Sequence, residues 1–301
     1  MKKNKILCIG ATGFIGSYLV PALREKGFEP VIFSRRPKKT KEIWPDLDVV
    51  SSLEEIPAEA NFHAFINLAG AGIADKRWTD ERKKILLESR IDSTSAMVAL
   101  IERLKMKPEV VIQGSAMGWY PFSEERSFDE SEPHAENYLG QLCSHWESAA
   151  GALEALSIRT CFVRTSLVLD ASGGALKKML PPFKLGLGGK LGHGKQWMSW
   201  IHLDDQVGGI LHLLNNPNCQ GAFNFSSPEP VTNRDFTELL GAALGRPTLF
   251  PVPALALKLA LGEMSCLLLQ GQRLKPTKLL ESGYHFQYPS LKTAFSKIFK
   301  K

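Results

Sequence analysis

The chain has few cysteines, five in all, at positions 8, 143, 161, 219 and 266, and none of them forms a C-x-x-C pair. An odd number without metal-ligand spacing argues against a disulfide framework or a metal site and leaves buried thiols in a reducing cytoplasm. A concentrated basic face is missing too. The net charge is +6, yet Lys and Arg are spread along the sequence, with small clusters at Lys2-Lys3, Arg35 to Lys41 and Lys297 to Lys301. Nucleic-acid binding wants such a face with interleaved aromatics, so a small polar or anionic ligand is the more economical partner. No internal repeat or low-complexity linker interrupts the 301 residues, of which 44% are hydrophobic and 23% charged. That balance suits a globular protein with one large core or two modest ones.

There is also no long unbroken hydrophobic run. Residues 6 to 23 carry no charge and follow Lys2, Lys3 and Lys5, which imitates a signal peptide or a membrane anchor. Three glycines and Pro21 interrupt the stretch, and no small-residue cleavage site of A-x-A type follows it. The expectation is a cytoplasmic chain without a membrane span.

What stands in that stretch organises the rest. Lys5-Ile6-Leu7-Cys8-Ile9 is an apolar run of strand length, and Gly10-Ala11-Thr12-Gly13-Phe14-Ile15-Gly16 follows with glycines at G-x-x-G-x-x-G spacing. An apolar-periodic segment with Tyr18, Leu19 and Leu23 comes next. Strand, tight turn and helix in that order form a dinucleotide-binding fingerprint. The first glycine turns the chain, the second lets the backbone approach a pyrophosphate, and the third lets helix and strand pack closely. A second strand, Glu29 to Phe33, closes a βαβ unit of about thirty residues. After it, Ser34-Arg35-Arg36 offers a hydroxyl and two guanidiniums where an acidic residue would grip the 2′-hydroxyl of NAD. Guanidiniums suit a 2′-phosphate, so NADP(H) is expected in preference to NAD(H).

Strand and helix signals go on alternating. His63 to Gly70 reads as a buried strand whose small residues, with Leu68, Ala69 and Gly70, let a nucleotide lie close. Trp78 to Ile101 reads as a long helix, Val110 to Ser115 as a strand delivering Ser115 to the same sheet edge, and Tyr138 to Glu154 as a helix. Ile158 to Leu169 is a strand containing Arg164, and Met179 to Gly194, rich in proline and glycine, reads as a lid. Gln196 to Asp205 then combines Trp200, His202 and two carboxylates. His202 is either a proton shuttle or a structural cap, and Asp204 or Asp205 is expected to cap a helix through Leu214. Thr232 to Asp235 carries capping chemistry. Ala254 to Leu269 reads as a core helix or an apolar partner surface, and Thr277 to Gly283 and Leu291 to Lys301 as further helices.

Several motifs together resemble an extended short-chain dehydrogenase/reductase of the NAD-dependent epimerase/dehydratase superfamily. More narrowly, the chain resembles its SDR39U-type epimerase family branch, which carries a C-terminal domain of unknown function. The motifs are G-A-T-G-F-I-G at 10 to 16, I-N-L-A-G at 66 to 70, R-W-T at 77 to 79, S-R-I-D-S-T at 89 to 94 and G-S-A-M-G-W-Y at 114 to 120. W-E at 146 to 147, the run from Gly188 to Asp205 and N-F-S-S-P-E-P-V at 224 to 231 complete the set. The resemblance implies an α/β fold, a Rossmann-type doubly wound parallel sheet with a smaller C-terminal α/β substrate-side domain. Residues 1–170, completed by about 200–226, would form the NADP-binding part, and 171–199 with 227–301 the smaller one.

The resemblance also implies a serine holding the substrate oxygen and a Tyr-x-x-x-Lys helix whose tyrosine exchanges a proton beside hydride transfer. Ser115 matches the serine and Tyr138 falls near the tyrosine, but Leu142 stands four residues on, and no lysine occurs between Lys107 and Lys177. Tyr138 is therefore either catalytic or an aromatic on an amphipathic helix, and Tyr120 is a second candidate. Arg90 replaces the Asn common on the central helix; it either binds an anion in the site or pairs with Asp92 or Glu88. Two readings follow: an NADP(H)-dependent oxidoreductase or epimerase-like enzyme acting on a small polar or anionic substrate, or a dinucleotide-binding regulatory protein without turnover. Relatives often form homodimers through the two helices that here would be Trp78 to Ile101 and Tyr138 to Glu154.

Overall fold

A computed structural model describes residues 4–299. The chain runs β1 (Lys5–Ile9), α1 (Phe14–Glu25), β2 (Glu29–Phe33), α2 (Pro37–Ile43), β3 (Asp48–Val50), β4 (Ala64–Asn67), α3 (Asp80–Arg103), β5 (Val110–Ala116), β6 (Ser127–Phe128), α4 (Tyr138–Ser148) and α5 (Ala152–Ala155). It continues through β7 (Arg159–Thr165), β8 (Leu167–Leu169), α6 (Gly174–Lys184), β9 (Trp197–Met198), β10 (Trp200–His202), α7 (Leu203–Asn215), β11 (Gly221–Phe225), β12 (Val231–Thr232) and α8 (Asn233–Leu244). The last elements are α9 (Ala254–Leu261), α10 (Cys266–Leu269), β13 (Arg273–Leu274), α11 (Thr277–Glu281) and α12 (Leu291–Ile298). The expected last helix, Leu291 to Lys301, extends past the described residues.

Seven strands form one parallel sheet in the order β3-β2-β1-β4-β5-β7-β11. The order reverses between β1 and β4, so the crevice for a ligand opens there, outside the carboxyl ends of the strands. Both faces of the sheet are covered, which is why β1 and β4 read as unbroken apolar runs. Ile6, Cys8, Ile66 and Ile112 pack with Leu19 and Leu23 of α1 and Ile210 and Leu213 of α7. Leu7, Ile9, Phe65 and Val111 pack on the other side with Met97, Leu100 and Ile101 of α3. A third core joins Leu176, Leu180 and Phe183 of α6 to Trp200, Phe236 and Phe295. No helix among the described residues is long and apolar enough to cross a membrane.

Five expectations are corrected. The run Ile158 to Leu169 is two strands: β7 stays in the main sheet, whereas β8 leaves it at Ser166, whose N–H donates to Phe225 O, and pairs with β10. The lid expected over Met179 to Gly194 begins as the second half of α6, because Leu176, Leu180 and Phe183 share a buried face that outweighs Pro181 and Pro182. Tyr138 to Glu154 breaks at Gly151. His202, not Asp204 or Asp205, caps α7: its Nδ1 accepts from Asp204 N at 3.0 Å. Ala254 to Leu269 is interrupted at Gly262, with φ +60°, and α9 buries none of its residues, which excludes the core-helix alternative and leaves Leu255 and Leu259 on an exposed apolar surface. The capping signal at Thr232 to Asp235 is a complete capping box.

Candidate cofactor and substrate site

Gly10 follows β1 with φ +85°, a conformation that favours glycine. A Cβ there would stand 2.7 Å from Ala69 N, so the first turn touches the Leu68–Ala69 backbone across the crevice. A Cβ on Gly16 would lie 2.6 Å from Ala11 Cα, which fixes α1 directly against the turn. Gly13 is the N-cap of α1, no side chain caps the helix, and its first turn holds no acidic residue. The unsatisfied N–H groups and the positive helix end suit an anion. Thr12 is exposed, Ile15 packs on the core, and the Gly173-Gly174 turn closes over the Phe14 ring.

Past β2, Ser34 is buried and its hydroxyl accepts from Arg36 N at 3.1 Å and Thr40 Oγ1 at 2.7 Å. It therefore shapes the turn. Arg35 and Arg36 stand exposed on that turn, with no ion pair among the described residues. Past β4, the buried Asn67 accepts from Ala69 N at 3.1 Å and donates to Thr94 and Gln113, which holds the Leu68-Ala69-Gly70 loop in place. These features fit a dinucleotide: donors for a pyrophosphate, small residues around the turn, and cations for an extra phosphate.

Beneath the crevice the expected catalytic and substrate residues form a buried network. Ser115 Oγ donates to Glu147 Oε1 at 2.6 Å, and Arg164 Nε and Nη2 grip the same carboxylate at 2.9 and 3.1 Å. Arg164 Nη1 donates to the Tyr120 hydroxyl at 2.9 Å, and that hydroxyl donates to Asn224 Oδ1 at 2.7 Å. Burial works against charged Arg164, but its hydrogen bonds to Glu147 and that carboxylate's charge outweigh burial and raise its pKa above the ordinary value. Burial pushes the Tyr120 phenol up to about 12. Tyr120 is wholly buried with its hydroxyl engaged by both Arg164 and Asn224, which closes it to a substrate, and the Ser115 proton is committed to Glu147.

Tyr138, the first residue of α4, is half-buried, and its hydroxyl oxygen is out of contact with solvent. Its ring meets Trp78 edge-on at 5.0 Å and Lys83 Nζ lies 4.9 Å above it, while its hydroxyl has no hydrogen-bond partner. Burial raises its pKa, against a smaller opposing pull from Arg90. Arg90 lies 4.9 Å over the Trp146 ring and against Gly70, and its Nη1 donates to Leu86 O at 2.8 Å. It is half-buried and forms no pair with Asp92 or Glu88. Trp200 and His202 lie elsewhere. Trp200 is wholly buried in the third core with its indole donating to Glu229 O, and His202 stacks at 4.1 Å on Tyr288. Among the described residues no group of His, Cys, Asp and Glu is arranged to hold a metal ion.

The family model for "NAD dependent epimerase/dehydratase family" matches residues 6–225, the whole span of the parallel sheet. The chain belongs to that family. A second model, a domain of unknown function, matches residues 252–298. The SDR39U1 homolog of Arabidopsis thaliana, named a chloroplastic epimerase family protein, is 38% identical over 96% of this chain and 85% of that protein. The Bacillus subtilis epimerase family protein YfhF is 37% identical over 97% of each. The crystal structure of human epimerase family protein SDR39U1 with NADPH superposes with TM-score 0.90 at 32% identity, covering 99% of both chains.

Within this epimerase/dehydratase chain, two residues of the network were not singled out from sequence. Glu147 is its hub, and the signal for it was the Trp146-Glu147 pair, which appears in the sequence only as a motif match. Asn224 joins Tyr120 to the backbone of Phe128 and Lys275. The lysine expected four residues after Tyr138 has no replacement on its own helix, where Leu142 is buried.

Proposed function

We propose that this family member is an NADP(H)-dependent oxidoreductase that reduces a carbonyl group of a small polar substrate, with Tyr138 as proton donor. The observation that carries the reading is the uncapped start of α1 beside two exposed guanidiniums, Arg35 and Arg36, with no carboxylate in the Ser34-Arg35-Arg36 turn. Bound NADPH would supply a hydride to a carbonyl carbon. Gly10, Gly13 and Gly16 let the backbone approach its pyrophosphate, and Arg35 and Arg36 offset the charge of its extra phosphate.

Tyr138 is a neutral phenol near pH 7, because burial raises its pKa further above the ordinary value of 10.0. A neutral phenol donates a proton well and accepts one poorly, so the site favours reduction over proton abstraction. The proton passes from the buried Tyr138 Oη to the oxygen of a carbonyl seated against it as that oxygen gains charge, and water admitted as the product leaves restores it. Ser115, Glu147 and Arg164 position the floor of the crevice without taking a proton. Absorbance of reduced nicotinamide, followed over a panel of carbonyl compounds, tests the reading. A substrate-dependent loss that Tyr138→Phe suppresses supports it; tight NADPH binding without turnover on any carbonyl overturns it. That second outcome would favour a cofactor-sensing protein, a reading supported by Leu142 in place of the activating lysine.

A further inference from the structure

We propose that Arg90, with Arg82 behind it, forms a binding site for a substrate carboxylate, so that the substrate is a small carbonyl compound carrying a carboxylate. The inference rests on the reading of the crevice as a reductase site and adds the class of substrate. Arg82, Leu86 and Arg90 are four residues apart along α3 and so share one face of the helix. That face looks onto the loop after β4: Arg82 Nη2 donates to Gly72 O at 2.6 Å, and a Cβ on Gly70 would stand 3.1 Å from Arg90 Cζ.

The place is rich in donors and poor in acceptors. Arg82 Nε, Tyr138 Oη and Trp146 Nε1 are all buried without a hydrogen-bond partner. The Arg90 guanidinium, half-buried on the Trp146 face, has one backbone acceptor and no carboxylate among the described residues. Carboxylates on the surrounding segments pair with other cations: Glu263 with Lys83 at 2.6 Å, Glu147 with Arg164 at 2.9 Å and Asp75 with Lys178 at 2.9 Å, although Asp75 also lies within electrostatic reach of Arg82, which leaves Arg90 as the guanidinium without a carboxylate. A guanidinium keeps its charge in any protein setting, and a desolvated charge without a counterion is costly. An acceptor-rich, planar anion answers both the charge and the orphan donors, and a carboxylate matches the guanidinium fork. The Arg90 side chain lies directly against Gly70, where any side chain would press on the guanidinium and displace it.

The test is thermal unfolding with malonate as probe, against uncharged malonamide and inorganic phosphate at ionic strength matched with sodium chloride, with and without NADPH. The proposal expects malonate to raise the Tm by about 2–4 °C at roughly tenfold its Kd, with no response to malonamide and a smaller one to phosphate. In Arg90→Met the malonate response disappears while the ligand-free Tm holds or rises, because a charge without a partner has been removed. In Arg90→Lys part of the response returns at about tenfold higher malonate. A response equal in Arg90→Met and wild type overturns the proposal, as does a larger response to phosphate than to malonate. An Arg90→Met chain that loses stability or fails to fold also overturns it, since Arg90 would then be a structural support. NADPH binding measured on the same samples separates the two ideas: a malonate response without NADPH binding sinks the cofactor reading alone, and the converse sinks only this one.

Discussion

Glu147 accepts three hydrogen bonds from Ser115 and Arg164, and its ion pair with Arg164 is almost wholly out of water. Removing one partner of a buried pair leaves the other uncompensated, so Glu147→Ala is expected to lower unfolding stability by about 3–5 kcal/mol, measured by urea denaturation. Tyr138→Phe removes an oxygen that bonds to nothing. That variant should keep its Tm while turnover falls by about 10²–10⁴, a split that a merely structural tyrosine would not give. The sequence marks Ser115, Tyr120 and Arg164 one by one, the first two in the G-S-A-M-G-W-Y motif and Arg164 as a charge within a strand. It does not reveal that they share one carboxylate, since Arg164 faces Ser115 only through the register of β5 on β7. Trp200 shows the opposite failure. Polar and aromatic residues close in sequence suggest a site, but Trp200 is sealed in the third core, while His202 takes the capping alternative read from the sequence.

The βαβ cradle was legible because every local signal in it agrees: β1 is apolar on both faces, glycine stands at the left-handed turn, and α1 presents Leu19, Val20 and Leu23 to one side. Gly16→Ala places a Cβ 2.5 Å from Gly10 O, so α1 must move off the turn. Overpacking of that kind costs about 1–3 kcal/mol, and NADPH affinity should fall with it, which calorimetry on a folded variant would record. Elements at the substrate side were harder to read. Two prolines suggest a loop at 181 and 182, yet a buried apolar stripe carries α6 through them. Largely apolar stretches suggest one strand from Ile158 and one helix from Ala254. Tertiary pairing splits the first at Ser166, and a left-handed glycine at 262 ends α9. Such breaks depend on partners distant in sequence, which local pattern cannot supply.

Across the whole molecule, two histidines, the buried His202 and the half-buried His212, tie the second half of the chain to pH. Burial lowers the pKa of His202 below its ordinary 6.5, and desolvation likewise lowers that of His212. The folded state thus prefers neutral rings, and the unfolded chain binds the proton more tightly. Their contribution is intact above 6.5 and is lost as pH falls below it towards the folded values. Urea midpoints should therefore drop between about pH 7 and pH 5.5, and His202→Asn, which keeps a capping acceptor, should flatten the drop.

The amino-terminal half of this epimerase/dehydratase fold is proposed to seat a 2′-phosphorylated dinucleotide, and every catalytic role assigned above requires it. Calorimetric titration of the purified chain with NADPH and with NADH, repeated on Arg35→Ala/Arg36→Ala, addresses that claim without needing a substrate. The prediction is tighter binding of NADPH by about tenfold or more, roughly 1.4 kcal/mol, and loss of that margin in the double variant. Absence of heat with NADPH, or a preference over NADH that survives both substitutions, would contradict it.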